Sequence, residues 1–125
     1  MPSASKETAS RVEDIGVMEG RYEDADGYVI AFEMFREDAD ATPLFVGLPD
    51  DRCQSPHWGY VFKGKVTFRF PDHAETYEAG DAYYAPPGHI PVVTAGTEVV
   101  EFSPAREYGE TMAVLARNLE AAGAS

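Results

Sequence analysis

Apolar and polar residues alternate most clearly in two stretches of the chain. In "GYVIAFEMFRE", residues 27–37, Val29, Ala31, Glu33 and Phe35 fall on one face of an extended strand. Tyr28, Ile30, Phe32 and Met34 fall on the other, which is apolar throughout, as in a strand inside a sandwich. "HWGYVFKGKVTFRF", residues 57–70, predicts two strands that turn at "KGK", with Val66, Phe68 and Phe70 sharing a face. From Tyr77 to Pro104 the pattern is of short strands broken by glycine and proline. Strands this short, with turn signals about every ten residues, predict an all-β sandwich or barrel.

The two ends read differently. Residues 1–10 are small and polar, and "SRVEDIGVMEGRYED" has only scattered apolar positions, an early strand or an irregular arm. Residues 1–26 are therefore set apart as an N-terminal arm, and 27–103 as the barrel. At the other end, Ser103 offers a capping hydroxyl and Pro104 suits the first position of a helix. Tyr108, Met112, Leu115 and Leu119 recur at helical spacing, and Gly123 supplies a stop. The spacing predicts one C-terminal helix over 104–122, laying its apolar stripe on the barrel or on a partner subunit.

Composition narrows the classes of partner. A chain of 125 residues with 44% hydrophobic residues is long enough for one domain with a real core. Ten basic residues against 22 acidic ones give a net charge of −12, the wrong sign for nucleic acid or an anionic membrane surface. A single cysteine rules out an intramolecular disulfide. "MPSASKETAS" lacks the basic and apolar regions of a signal peptide, and no apolar run approaches the ~18 residues of a membrane span. A cytoplasmic protein is expected.

Candidate chemistry starts at "DRCQSPHWGYVFKG", residues 51–64. Read as a strand, it points Asp51, Cys53, Ser55, His57 and Gly59 to one side, with Trp58 on the other. A thiolate and an imidazole two side-chain steps apart can converge on one ion if the strand curves, a donor set suited to zinc and less cleanly to iron or copper. The alternative is a buried free cysteine beside a hydrogen-bonded core histidine. In "AGDAYYAPPGHIP", residues 79–91, the stiff Pro86-Pro87-Gly88 turn delivers His89. A rigid turn fixes a ligand before the metal arrives; the alternative is an exposed histidine on a loop.

Together the two stretches resemble the motifs of the cupin superfamily, over roughly residues 27–103. The second motif, G-x5-P-x-G-x2-H-x3-N, fits at Gly80, Pro86 and Gly88; the first, G-x5-H-x-H-x3/4-E-x6-G, fits at its end, where six residues separate position 57 from Gly64. The ligand positions depart from the pattern. His57 stands at the glutamate position, Cys53 and Asp51 stand at the two histidine positions, and His89 stands two residues before the last histidine position, Pro91. The final asparagine position is Ala95. The resemblance implies a small jelly-roll β-barrel with a metal or ligand cavity. It leaves Cys53, His57 and His89 as a substitute metal set, with Asp51 as a fourth candidate.

Three protein ligands with an open position is the pattern of a catalytic zinc site, whereas non-haem iron favours two histidines and a carboxylate. Zinc is the favoured ion and iron the second choice. Glu33 and Glu101 lie on strands and are the candidate bases. One of Tyr83 and Tyr84 should point inward, and Tyr84 is carried as a candidate proton donor. Three functions fit: a metal-dependent isomerase, hydrolase or oxygenase acting on a small organic molecule; a non-catalytic small-molecule binding or sensing module; and a metal-free structural barrel. A homodimer is expected under all three, because the edge strands of a small jelly roll need cover.

Overall fold

The computed structural model describes residues 3–122. Ten strands make two antiparallel sheets, followed by one helix. The strands are β1 (Arg11–Asp14), β2 (Met18–Ala25), β3 (Tyr28–Phe35), β4 (Ala39–Asp40), β5 (His57–Lys63), β6 (Lys65–Arg69), β7 (Ala74–Glu78), β8 (Ala82–Ala85), β9 (Ile90–Val93) and β10 (Glu98–Pro104); the helix is α1 (Ala105–Ala121). The larger sheet has the order β1-β2-β3-β10-β5-β8 and the smaller one β4-β9-β6-β7. Between β4 and β5 the chain makes two short 3-10 turns, Thr42–Phe45 and Pro49–Asp51.

The alternation in the sequence decides which faces meet. Val61, Val66, Phe68, Tyr83, Ala85, Val93 and Val99 form the core between the sheets. Their apolar burial is the main force holding the sheets together. In β3 the face carrying Glu33 is the inward one, with Val29 and Ala31 packed beneath the helix. The wholly apolar face of β3 lies on the outside, where Tyr28 is 46% exposed. This reverses the orientation expected from a strand buried on its apolar side.

One further expectation is corrected. The N-terminal segment set apart as an arm contributes β1 and β2, and β2 pairs with β3 along its whole length, from Met18↔Phe35 to Ala25↔Tyr28. The scattered apolar positions of 12–22 include Tyr22, buried in the core. "KGK" is a turn, but the strands it joins do not pair with each other: β5 lies between β10 and β8, and β6 between β7 and β9. Gly64, at φ +75°, swings the chain from one sheet to the other with no room for a side chain, because Thr97 sits against its Cα.

The helix lies on its own barrel. Tyr108 and Met112 join Tyr22, Val29 and Ala31. Leu115 packs with Phe45, Cys53 and Ile90. Asn118 Nδ2 donates to the carbonyls of Leu44 and Val46 at 2.6 and 2.8 Å, tying the helix to the first 3-10 turn. Ser103 does not cap it. Pro104 occupies the cap position, and no side chain bonds the first turn. Gly123, the expected stop, lies outside the described residues. No helix among the described residues is long and apolar enough to cross a membrane.

Candidate metal centre

Three elements bring Cys53, His57 and His89 together. His57 opens β5 with its side chain inward. Cys53 is not on that strand. It lies in the connection after the second 3-10 turn and forms an isolated antiparallel bridge with His89. The N–H of Cys53 donates to the carbonyl of His89 at 3.0 Å, and the N–H of Gly88 donates to the carbonyl of Cys53 at 2.7 Å. Gly88 sits at φ +97°, a conformation that glycine adopts without strain. His89 Nδ1 donates to the carbonyl of Pro86 at 2.7 Å. The Pro-Pro-Gly turn thus fixes the ring orientation as well as the backbone.

The donor atoms of the three residues lie within 4.8 Å of one another, and all three residues are buried. Cys53 Sγ stands 3.6 Å from His57 Nε2. Ordinary Zn–S and Zn–N bonds at a tetrahedral angle put sulfur and nitrogen about 3.6 Å apart. His89 Nε2 is buried without a hydrogen-bond partner. Because Nδ1 carries the proton given to Pro86, Nε2 is a bare lone pair, and leaving it unpaired costs roughly 1–3 kcal/mol. A cation at the centre of the three donors would remove that cost. The residues fit a divalent metal of intermediate softness.

Burial sets the protonation states. It pushes the His57 imidazole down to about 4. Burial and the neighbouring His57 push His89 down to about 3, so both rings are neutral and free to ligate. The Cys53 thiol is raised by burial to about 11, so the metal-free protein holds it protonated. A ligated thiol gives up that proton.

A polar shell surrounds the cluster. Ser103 Oγ lies 2.7 Å from His57 Nδ1, and Glu101 Oε1 lies 4.0 Å from the same nitrogen. With the imidazole neutral, the carboxyl contact is not an ion pair. Tyr83 donates to Glu101 Oε2 at 2.5 Å, and Tyr22 donates to Glu33 Oε2 at 3.3 Å. Burial raises both carboxyls above the ordinary glutamate value, the charge of Glu101 raises Glu33 further, and the Tyr83 hydrogen bond partly offsets the rise at Glu101. Glu33, Glu101, Tyr83, His57 and His89 line a cavity of about 60 Å³, walled otherwise by apolar side chains such as Phe68 and Val99.

The structure separates the remaining candidates. Asp51 is exposed, and its Oδ1 accepts from the N–H of Gly47, so its carboxylate serves a turn. Asp51 adopts φ +54°, which breaks the alternation that would have placed it beside Cys53. Tyr84 points outward, 46% exposed, with its ring 5.0 Å from Trp58. Tyr83 is the inward tyrosine: β8 pairs Tyr83 with Gly59, and a Cβ on Gly59 would collide with the Tyr83 ring. Ser103 had been read as a helix cap, and the strand phase shared with Glu101 is the signal that places it inside.

No family model matches the sequence, and no curated protein matches it. Solved structures do share the fold. An RmlC-like cupin from Shewanella frigidimarina NCIMB 400 is 21% identical over 83% of this chain and 91% of its own, with a TM-score of 0.57. The polyketide cyclase RemF from Streptomyces resistomycificus is 17% identical over 83% and 79%, with a TM-score of 0.58. KdgF from a Halomonas species is 18% identical over 75% and 86%, with a TM-score of 0.52. The chain has the jelly-roll fold of the small bacterial cupins.

Proposed function

We propose that this cupin-fold chain holds one divalent metal ion on Cys53, His57 and His89 and uses it to bind and transform a small organic molecule in the barrel cavity. The observation that carries this reading is the unpartnered, buried Nε2 of His89, aimed at a thiol and an imidazole already at ligand spacing. Zinc suits the nitrogen and sulfur donors best, and iron is the second choice.

Such an ion supplies a Lewis acid for a substrate oxygen. The protein supplies the rest. Ser103 holds the His57 ring in place. Glu101, close to His57 and bonded by Tyr83, is placed to accept or return a proton. Its raised pKa suits proton transfer near neutral pH better than that of an ordinary glutamate. Glu33 is the second carboxyl of the pair, and the apolar walls restrict water. A cavity of about 60 Å³ favours a substrate of few atoms.

The test is the metal content of protein purified without chelator or nickel, for the wild type and for Cys53→Ala, His57→Ala and His89→Ala. About one ion per chain, lost in all three variants, supports the reading; the identity of the ion then separates Lewis-acid from oxidative chemistry. A wild-type protein that carries no metal and refuses added zinc and iron overturns it and leaves a ligand-binding or structural barrel.

A further inference from the structure

The cavity between the sheets offers a narrow choice of polar groups. Glu33, Glu101, Tyr83, His57 and His89 line it, and the remaining walls are apolar. No lysine or arginine lines it among the described residues. Arg52, beside the turn that carries His89, gives Nη1 to the carbonyls of Arg69 and Gly88 at 2.8 and 3.4 Å. Nδ1 of each histidine is already engaged, by Ser103 and by the carbonyl of Pro86. The protein thus presents acceptors to the cavity and no cation.

The two carboxyls are built into the larger sheet in the same way. Glu33 stands opposite Gly20 on β2, and Glu101 stands opposite Gly59 on β5. Each glycine leaves room for a tyrosine: a Cβ on Gly20 would meet the Tyr22 hydroxyl, and one on Gly59 would meet the Tyr83 ring. Each tyrosine then bonds Oε2 of its carboxyl, Tyr22 that of Glu33 and Tyr83 that of Glu101. The other oxygen is left over. Glu101 is only 8% exposed, yet its Oε1 lies 4.0 Å from His57 Nδ1, beyond hydrogen-bond reach. Oε1 of Glu33 likewise has no hydrogen-bond partner among the described residues. Acceptors stripped of water in this way favour a ligand that donates to them.

We propose that the cavity selects an uncharged hydroxycarbonyl compound, its carbonyl oxygen at the Cys53–His57–His89 centre and its hydroxyl donating to Oε1 of Glu101. This inference rests on the metal reading above and names the substrate class that such a site takes. Size sets the first limit: about 60 Å³ holds roughly four or five water-sized groups. Charge sets the second. A dication with one thiolate keeps a single positive charge, which one ionised carboxyl of the glutamate pair balances. A carboxylate or phosphate would add a negative charge with no cation to meet it, in a cavity whose other walls are apolar. Hydrogen bonding sets the third. A simple ketone would fill the space and leave the Glu101 oxygen unpaired, whereas a hydroxyl satisfies it.

Three probes of matched size separate these limits: hydroxyacetone, butanone, which lacks the hydroxyl, and glycolate, which carries the charge. The visible spectrum of the cobalt(II)-loaded protein reports what occupies the open position of the centre. Hydroxyacetone should change that spectrum saturably, and butanone should need about tenfold more. Glycolate should leave it unchanged at the concentration where hydroxyacetone saturates. Glu101→Met should bring hydroxyacetone down to the affinity of butanone. The wild-type comparison decides the matter even where that variant fails to fold. A spectrum that glycolate changes as readily as hydroxyacetone, that butanone changes equally well, or that no probe changes overturns this inference and leaves the metal centre standing. A Glu101→Met protein that keeps the preference for hydroxyacetone overturns it equally. A wild type that takes up no cobalt overturns the metal reading itself, and this one falls with it.

Discussion

Cys53 and His89 are joined through their backbones, the N–H of Cys53 donating to the carbonyl of His89 at 3.0 Å. They are 36 residues apart in sequence, yet this bridge makes them neighbours before any ion is present. Two of the three donors are therefore preorganised by main-chain geometry, and the third, His57, is held by Ser103. Metal binding at such a centre needs little rearrangement, so its affinity should depend more on donor chemistry than on folding.

Replacing Ser103 tests the support given to His57. Ser103→Ala removes the partner of Nδ1 and leaves all three donors in place. Zinc affinity, measured by competition with a chromophoric chelator, should fall by about 10- to 100-fold. An unchanged affinity would show that the hydroxyl does not orient the ring.

Gly59 is a packing requirement set by Tyr83. A methyl group at position 59 would collide with the Tyr83 ring, which is buried on the other side by Phe68 and Tyr77. Gly59→Ala should lower unfolding stability by about 1–3 kcal/mol, the usual cost of overpacking a core. The double variant Gly59→Ala/Tyr83→Ala should relieve the clash, so denaturant unfolding should show coupling between the two changes.

The pH dependence of the metal-free protein follows from the buried groups. His57 and His89 titrate lower in the fold than the ordinary 6.5 of histidine. Their contribution is complete above about 6.5 and is lost as pH falls toward 4 and 3, because the unfolded chain takes up protons that the fold refuses. Glu33 and Glu101 titrate higher in the fold. Their contribution is complete below the ordinary glutamate value and is lost as pH rises through the folded one. Stability should peak in the mildly acidic range and decline on both sides. Glu101→Gln should flatten the alkaline decline without moving the acid one, as read by thermal unfolding across pH.

Tyr83 and Tyr84 should behave oppositely. Tyr83→Phe removes the 2.5 Å bond to Glu101 and should move its titration further up, visible in the carboxyl resonances of labelled protein. Tyr84→Phe, outside the barrel, should leave that titration where it is.

The strand alternation in the sequence was enough to put His57, Glu33 and Glu101 on inward faces but not to order the sheets. His57, Glu33 and Glu101 are inward because they share a phase with their core neighbours, and the Pro-Pro-Gly turn announced His89. The path to Cys53 was hidden, because Asp50 and Asp51 take left-handed conformations that glycine or asparagine would have signalled better. Choosing Tyr83 over Tyr84 required the pairing with Gly59, a long-range fact that local alternation does not contain. The apolar face of β3 was misread for a related reason: periodicity reports that a face is apolar and does not report which side of the sheet it ends up on.

The position of β10 carries a last consequence, for synthesis. It is the final strand of the chain, yet it sits in the middle of the larger sheet, between β3 and β5. Until it leaves the ribosome, β3 and β5 have no partner on the sides that will flank it. Ser103 and Glu101 arrive on the same strand, so the surroundings of His57 are completed only when β10 emerges. Pairings that wait for a distant segment slow folding and leave strand edges open to wrong partners. A nascent chain of this protein is thus most exposed to aggregation after β5 has emerged and before β10 follows it.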